Sequence, residues 1–205
     1  MPIPNDFSSR KLAIEYRGDE PLLRIFKTPT GAVQTPIYYG ARGTNRFDSP
    51  GRSFGVTYAA FDLSTCFAET ITREANANPL RNCGIPVSHV ADIMTRYVAT
   101  LQCQRPMRLA NLTDAGLYGV GAEAGEFNSV NYASTTQLWA QEVYARPEMV
   151  DGILYRSRFL NGRLAVAIFD RGGLNVGILA TKVVPLPTHP SYPTALNELN
   201  VCLLP

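Results

Sequence analysis

The chain has 205 residues, 45% of them hydrophobic and 18% charged, and a formal charge of +2. Those values describe one folded domain with room for a substantial core, and they exclude a disordered, charge-dominated chain. The small, scattered positive balance leaves no footprint for nucleic acid or a membrane surface, and no run reaches the ~20 apolar residues of a membrane span.

Residues 1–19 are polar and mixed and read as a surface lead-in. Met1 to Asn5 has neither a basic nor an apolar run of the kind an export signal needs, so a cytoplasmic location is expected. Leu22 to Phe26 predicts a first strand and Pro36 to Gly40 a second. Gly40 to Gly55 is a loop by composition. In the next strand Val56, Tyr58 and Ala60 share one face, with Thr57 and Ala59 on the other. Asp62 or Ser64 caps the helix that follows, whose apolar face is Leu63, Cys66, Phe67 and Ile71; Glu69 lies well off that face.

Residues 75–90 read as loop, and Tyr97 to Leu101 and Met107 to Leu112 as strands. Thr113 to Gly116 starts a short helical turn. Gly119 to Gly125 imitates a dinucleotide loop, but its third glycine falls one place late and no βαβ unit surrounds it, so a flexible loop is expected. Ser134-Thr135-Thr136-Gln137 has capping-box spacing before a helix carrying Leu138, Trp139, Val143 and Arg146, which Pro147 closes. Gly152 to Ser157 is a strand with Ile153, Tyr155 and Ser157 on one face and Leu154 and Arg156 on the other. Asn161-Gly162 returns it as a hairpin through Leu164 to Phe169. Val176 to Val184 is the last strand, and the prolines from 185 onward make residues 186–205 a Pro-rich tail laid over the domain. Many short strands with a few helices, in an order too irregular for a doubly wound parallel sheet, give a single compact α+β domain.

Four cysteines, Cys66, Cys83, Cys103 and Cys202, are widely spaced and read as free buried thiols. Cys83, His89 and Cys103 lack the paired spacing of a zinc site, so no metal is expected. His89 and His189 are the only histidines, little material for Ser-His or Cys-His nucleophilic chemistry. With one tryptophan and no interleaving of aromatic and basic residues, base stacking on single-stranded nucleic acid has no support.

The informative residues are Arg46 in a turn, Tyr58 on a strand, Glu69 on a helix and Ser157 at a strand end. A cation, an aromatic face and an anion on successive short elements suit a ligand with phosphate, a flat ring and a sugar. Arg46 offers a planar fork of donors for a pyrophosphate, Tyr58 a face for a ring, Glu69 a charge for a developing cation, and Ser157 a hydroxyl for ribose, amide or acceptor. Arg156 and Arg158 compete with Arg46 for the phosphate. Each residue alone has a blander reading: a solvated helix glutamate, a surface loop arginine, a core tyrosine, a strand-ending serine.

The stretches Arg46-Phe47-Asp48, Gly55 to Ala60, Ala68-Glu69 and Asp151 to Ser157 together resemble the RES-domain family, named for an Arg, a Glu and a Ser in this order. The match covers roughly residues 20–185, with residues 1–19 and 186–205 departing from it. The resemblance implies a fold related to ADP-ribosyltransferase toxins and a cleft that takes NAD as substrate, with no prosthetic group. It implies Arg46, Glu69 and Ser157 as catalytic residues and Arg46, Tyr58 and Ser157 as NAD-binding ones. The function implied is a bacterial toxin that cleaves the nicotinamide–ribose bond, as glycohydrolase or phosphorylase, and is neutralised by a protein antitoxin or immunity protein. ADP-ribosyl transfer to a protein and an inactive NAD-binding module are the alternatives.

Overall fold

The computed structural model describes residues 3–28, 35–72 and 87–205. Its centre is an eight-stranded sheet in the order β1-β6-β7-β8-β3-β2-β5-β9. These strands are β1 (Ile14–Arg17), β2 (Leu22–Lys27), β3 (Val56–Ala60), β5 (Arg96–Cys103), β6 (Met107–Leu112), β7 (Gly152–Arg156), β8 (Leu164–Phe169) and β9 (Ile178–Pro185). Only β6 and β7 run parallel; the other neighbours are antiparallel. A second, two-stranded sheet pairs β4 (Val87–His89) with β10 (Cys202–Leu204) in parallel. The α-helices among the described residues are α1 (Leu63–Phe67), α2 (Val90–Met94), α3 (Asp114–Gly119), α4 (Ala124–Asn128), α5 (Thr136–Ala145) and α6 (Tyr192–Glu198). This is the expected α+β domain.

The period-two alternation of the strands divides the apolar residues between two faces. Val56, Ala60, Ile153, Tyr155 and Ala167 join a core with Phe47, Phe127, Trp139 and Val143 from loops and helices. Ala59, Leu154, Val166 and Ile168 point the other way, with Leu101 and Leu109. Gly152 is required where β7 pairs with β8, because a Cβ there would collide with the Ala167 carbonyl; Gly116, in α3, meets the Asn111 carbonyl in the same way.

Several expectations change. The lead-in is structural: Phe7 is buried edge-on against Trp139 with ring centroids 5.2 Å apart, and β1 is an edge strand on β6. Arg146 ties it down, donating to the carbonyls of Phe7 (2.6 Å), Ser8 (2.8 Å) and Arg10 (2.9 Å). Those partners lie some 136–139 positions away, beyond the reach of a local pattern. Residues 36–40 form no strand, only one bridge between Gly40 and Val56. Of the expected loop at 75–90, residues 75–86 lie outside the described residues, and Val87 to Val90 belong to β4 and the start of α2.

The glycine-rich stretch turns at Val120 and Gly121 and re-enters a helix, α4, under a reciprocal Glu123–Glu126 capping box. Ser134 and Thr135 both donate to the Asn131 carbonyl, so the capping box expected before α5 is absent and Gln137 is released for another task. The tail holds α6 and β10, with Leu186 and Ala195 buried. Cys66 is a buried thiol as expected, but Cys103 is only half-buried and Cys202 is exposed; Cys83 lies outside the described residues.

Candidate active site

The sheet is split between β2 and β3. β2 pairs with β5 over six positions, yet touches β3 at one register pair, Leu23 with Ala60. Beyond that point the strands diverge, and Arg24 bridges the gap by donating from Nη1 to the Tyr58 carbonyl at 2.7 Å. The split opens into a cavity of about 290 Å³ whose wall includes Arg24, Arg46, Tyr58, Glu69, Tyr132 and Tyr155. A narrower recess of about 50 Å³ lies against Arg24, Tyr58, Cys66, Glu69 and Tyr155.

Glu69 reaches the split from α1. Asp62 caps that helix, accepting from the Thr65 N–H (2.8 Å) and hydroxyl (2.7 Å), and residues Ala68–Thr72 continue it as a π-helical turn. Leu63, Cys66, Phe67 and Ile71 are buried, while Glu69 is half-buried and lines the cavity. Its Oε1 accepts from Ser157 Oγ at 2.7 Å and from the Arg158 N–H at 3.1 Å. Oε2 makes no hydrogen bond among the described residues, so one carboxylate oxygen is held and the other remains for a ligand.

Ser157 is completely buried. Its hydroxyl donates to Glu69 and accepts the N–H groups of Phe159 and Leu160, each at 3.2 Å. Its backbone N–H pairs with the Arg163 carbonyl at 2.9 Å and extends the β7–β8 hairpin. The Asn161-Gly162 turn is present, closed from Arg163 N–H to Leu160 O at 2.8 Å. A hydroxyl spent on three partners orients Glu69 and shapes the turn; the direct contact with ribose or acceptor expected of Ser157 has no accessible atom here.

Tyr58 joins the strand to the arginine loop. Its hydroxyl accepts the Phe47 N–H at 2.8 Å and donates to Asp48 Oδ1 at 2.9 Å. Burial and the neighbouring Asp48 charge hold the Tyr58 phenol well above its ordinary pKa, so it stays protonated. Asp48 Oδ2 accepts from Thr44 N–H (3.0 Å), Asn45 N–H (2.9 Å) and Asn45 Nδ2 (3.1 Å). Gln137 Nε2 fastens the same loop to α5 through the Gly43 and Asn45 carbonyls, at 2.9 and 2.8 Å.

That frame fixes Arg46, which is 4% exposed. Its guanidinium donates to the carbonyls of Phe127 and of Arg156 (3.1 Å) and lies 4.9 Å from the Tyr155 ring centroid. Burial lowers its pKa, partly offset by Tyr155 and Glu69; it keeps its charge in any case. Arg156 donates from Nη2 to both carboxylate oxygens of Asp114, at 2.8 and 2.7 Å, and does not line the Glu69 cavity. Arg158 stacks over Tyr132 and Phe159, at 5.7 and 4.8 Å from the ring centroids, with a buried Nη1 lacking a partner.

Sequence reading missed Arg24. It lines the same cavity as Arg46, bonded to one carbonyl, with a buried, unpartnered Nε and no carboxylate partner among the described residues. A single arginine in an ordinary strand pattern carries no local signal; only the divergence of β2 from β3 reveals it. Among the described residues no cluster of three or more His, Cys, Asp or Glu could hold a metal; the expected unsuitability of Cys83, His89 and Cys103 is untested, since Cys83 lies outside them.

Fold and cavity together define an α+β domain with a carboxylate anchored in a split sheet and two arginines in the lining of the same cavity. A family model described as the RES domain matches residues 21–189, and the chain belongs to the RES-domain family. The fold also matches a chain of the crystal structure of the M. tuberculosis MbcT–MbcA toxin–antitoxin complex. That match has a TM-score of 0.65 and 15% sequence identity, over 96% of this chain and 98% of the other. No curated protein sequence matches the chain at a significant level. Among the described residues no helix is long and apolar enough to cross a membrane.

Proposed function

We propose that this protein consumes NAD by cleaving the bond between nicotinamide and ribose. The observation that carries the reading is the half-held Glu69 carboxylate, anchored by Ser157 and Arg158 at the wall of a cavity also lined by Arg24 and tyrosines. Breaking that bond leaves positive charge on the ribose while a neutral pyridine departs. The leaving group needs no proton, so the site needs an anion beside the oxocarbenium ion more than a general acid. Glu69 supplies the anion, and its free Oε2 is placed to accept from a ribose hydroxyl. Tyr58, Tyr132 and Tyr155 present ring surface for nicotinamide. Arg24, which has no carboxylate partner among the described residues, is better suited than Arg46 to meet the first phosphate, since two carbonyls already occupy Arg46.

In this reading Glu69 is the catalytic residue, Ser157 positions it, and Arg46 shapes the wall. Family membership and a fold neighbour titled as a toxin–antitoxin complex support a toxin whose NAD consumption is checked by a protein antitoxin in the cytoplasm. The test is to incubate purified protein with NAD, with and without phosphate, and identify products. Nicotinamide with ADP-ribose indicates water as acceptor, and nicotinamide with a phosphorylated ADP-ribose indicates phosphate. No nicotinamide release under either condition refutes the reading.

A further inference from the structure

Glu69 is held by two elements, and one side chain joins them. The residue rides on the helix that Asp62 caps, while its carboxylate is anchored to Ser157 and Arg158 in the β7–β8 turn. Arg163 serves both. Its N–H donates to the Leu160 carbonyl at 2.8 Å and its carbonyl accepts the Ser157 N–H at 2.9 Å, which closes the turn. Its Nη1 donates at 2.7 Å to Asp62 Oδ1, the oxygen that also accepts the Thr65 N–H. Its Nη2 reaches Glu198 on α6. That helix packs on α1, with the Phe67 and Tyr192 ring centroids 6.4 Å apart and Ala195 buried, and it lies beyond the residues 21–189 that the family model matches.

We propose that Arg163 is a positioning residue for Glu69, and that α6, through Glu198, belongs to the support of the site. The proposal rests on the NAD reading above for the role of Glu69 and adds two residues that touch neither the cavity nor the carboxylate. Glu69 lies seven positions after Asp62, about two helical turns, so a small tilt of α1 displaces the carboxylate. The 2.7 Å contact from Ser157 survives only while helix and turn keep their spacing. The side chains of Arg163, Asp62 and Glu198 are 34–36% exposed, and ion pairs so exposed add little to global stability. Their effect falls on geometry, where a displacement of about 1 Å costs on the order of a hundredfold in rate. Asp62 keeps both bonds to Thr65 without the guanidinium, so α1 stays capped.

The test uses the full chain carrying Arg163→Met, which keeps an apolar stem and removes the guanidinium, or Glu198→Gln, a milder change that leaves the Asp62 pair intact. The first readout is hydrogen exchange at the Arg158 amide, which donates to Glu69 Oε1, set against amides of the β3–β8 ladder. The Arg158 amide is expected to exchange roughly tenfold faster in Arg163→Met and about threefold faster in Glu198→Gln, with the ladder unchanged. The second readout is nicotinamide release from NAD: kcat is expected to fall about tenfold in Arg163→Met with KM changed less than about twofold, because no substrate contact is lost. An unchanged Arg158 amide in both variants overturns the proposal, as does equal acceleration of every amide, which marks general loosening. So does an unchanged kcat in Arg163→Met. If Arg163→Met fails to fold, the Glu198→Gln exchange rates decide alone. If the wild type releases no nicotinamide, the NAD reading fails instead, and the exchange rates still decide whether Arg163 and Glu198 hold Glu69.

Discussion

Tyr58→Phe separates the two tasks open to Tyr58, a flat surface for a ligand ring and a strut beneath the arginine loop. The substitution keeps the ring and removes one oxygen. Two hydrogen bonds go with it, the 2.8 Å bond from the Phe47 N–H and the 2.9 Å bond to Asp48 Oδ1. Asp48 is wholly buried, and Oδ1 has no other hydrogen-bond partner among the described residues. A hydrogen bond to a charged group contributes about 1.5–3 kcal/mol, and a stranded buried donor adds to the loss, so a destabilisation of about 2–4 kcal/mol is expected. For a domain of this size each kcal/mol lowers Tm by about 2–4 °C, which gives a fall of about 5–15 °C. The assay is thermal unfolding followed by circular dichroism, alongside KM for NAD measured well below the variant's Tm. The expected result is a large fall in Tm with KM changed less than about threefold, because the ring survives. A Tm within 1–2 °C of wild type would refute the strut, and with it the account of how the loop is held.

Glu69→Gln keeps shape and loses the charge that meets the oxocarbenium ion, so kcat is expected to fall on the order of a hundredfold or more with little change in Tm; wild-type turnover rules Glu69 out. Arg24→Ala is expected to raise KM for NAD more than tenfold. Arg46→Lys, which loses the fork that spans the Phe127 and Arg156 carbonyls, is expected to lower Tm first and binding second; thermal melts and initial rates on both variants distinguish a ligand contact from a wall. Expression of active protein without a neutralising partner is expected to arrest bacterial growth and deplete cellular NAD, with Glu69→Ala relieving both; normal growth with abundant active enzyme counts against the toxin reading. Hydrogen bonds from the Arg146 guanidinium hold the Glu148 carboxyl below its usual range. The contribution of Glu148 is therefore present above the unfolded-state value of about 4.3 and lost as pH falls below it. The Tm gap between wild type and Glu148→Gln should be widest near pH 6–7 and close toward pH 3.

Several local features were legible because their partners lay a few residues away. Asp62 as helix cap, the alternation of Val56, Tyr58 and Ala60, the two faces of β7 and the hairpin at Asn161-Gly162 all depend on backbone periodicity or neighbours within one turn. Glu69 was legible for the same reason, since helical spacing put it off the apolar face before any partner was known. Assembly of the site was not. Ser157 reaches Glu69 across 88 positions, and that contact keeps its hydroxyl buried on the carboxylate. Arg46 reads as a loop cation from its neighbours, yet in the structure it is buried and donates to the Phe127 and Arg156 carbonyls. Arg24 was invisible because nothing in Leu22 to Lys27 announces that this strand pairs fully with β5 and parts from β3. The apparent capping box failed likewise: Gln137 gains more by fastening the buried loop at Gly43 and Asn45 than by closing its own helix end. The sequence by itself determined which groups could carry charge and which faces were apolar, because those follow from side-chain chemistry and the repeat of the backbone. How deeply each cation of the cleft is buried, and which carbonyls and rings it meets, was decided by long-range packing, where burial leaves each polar group with the partners that folding happens to bring.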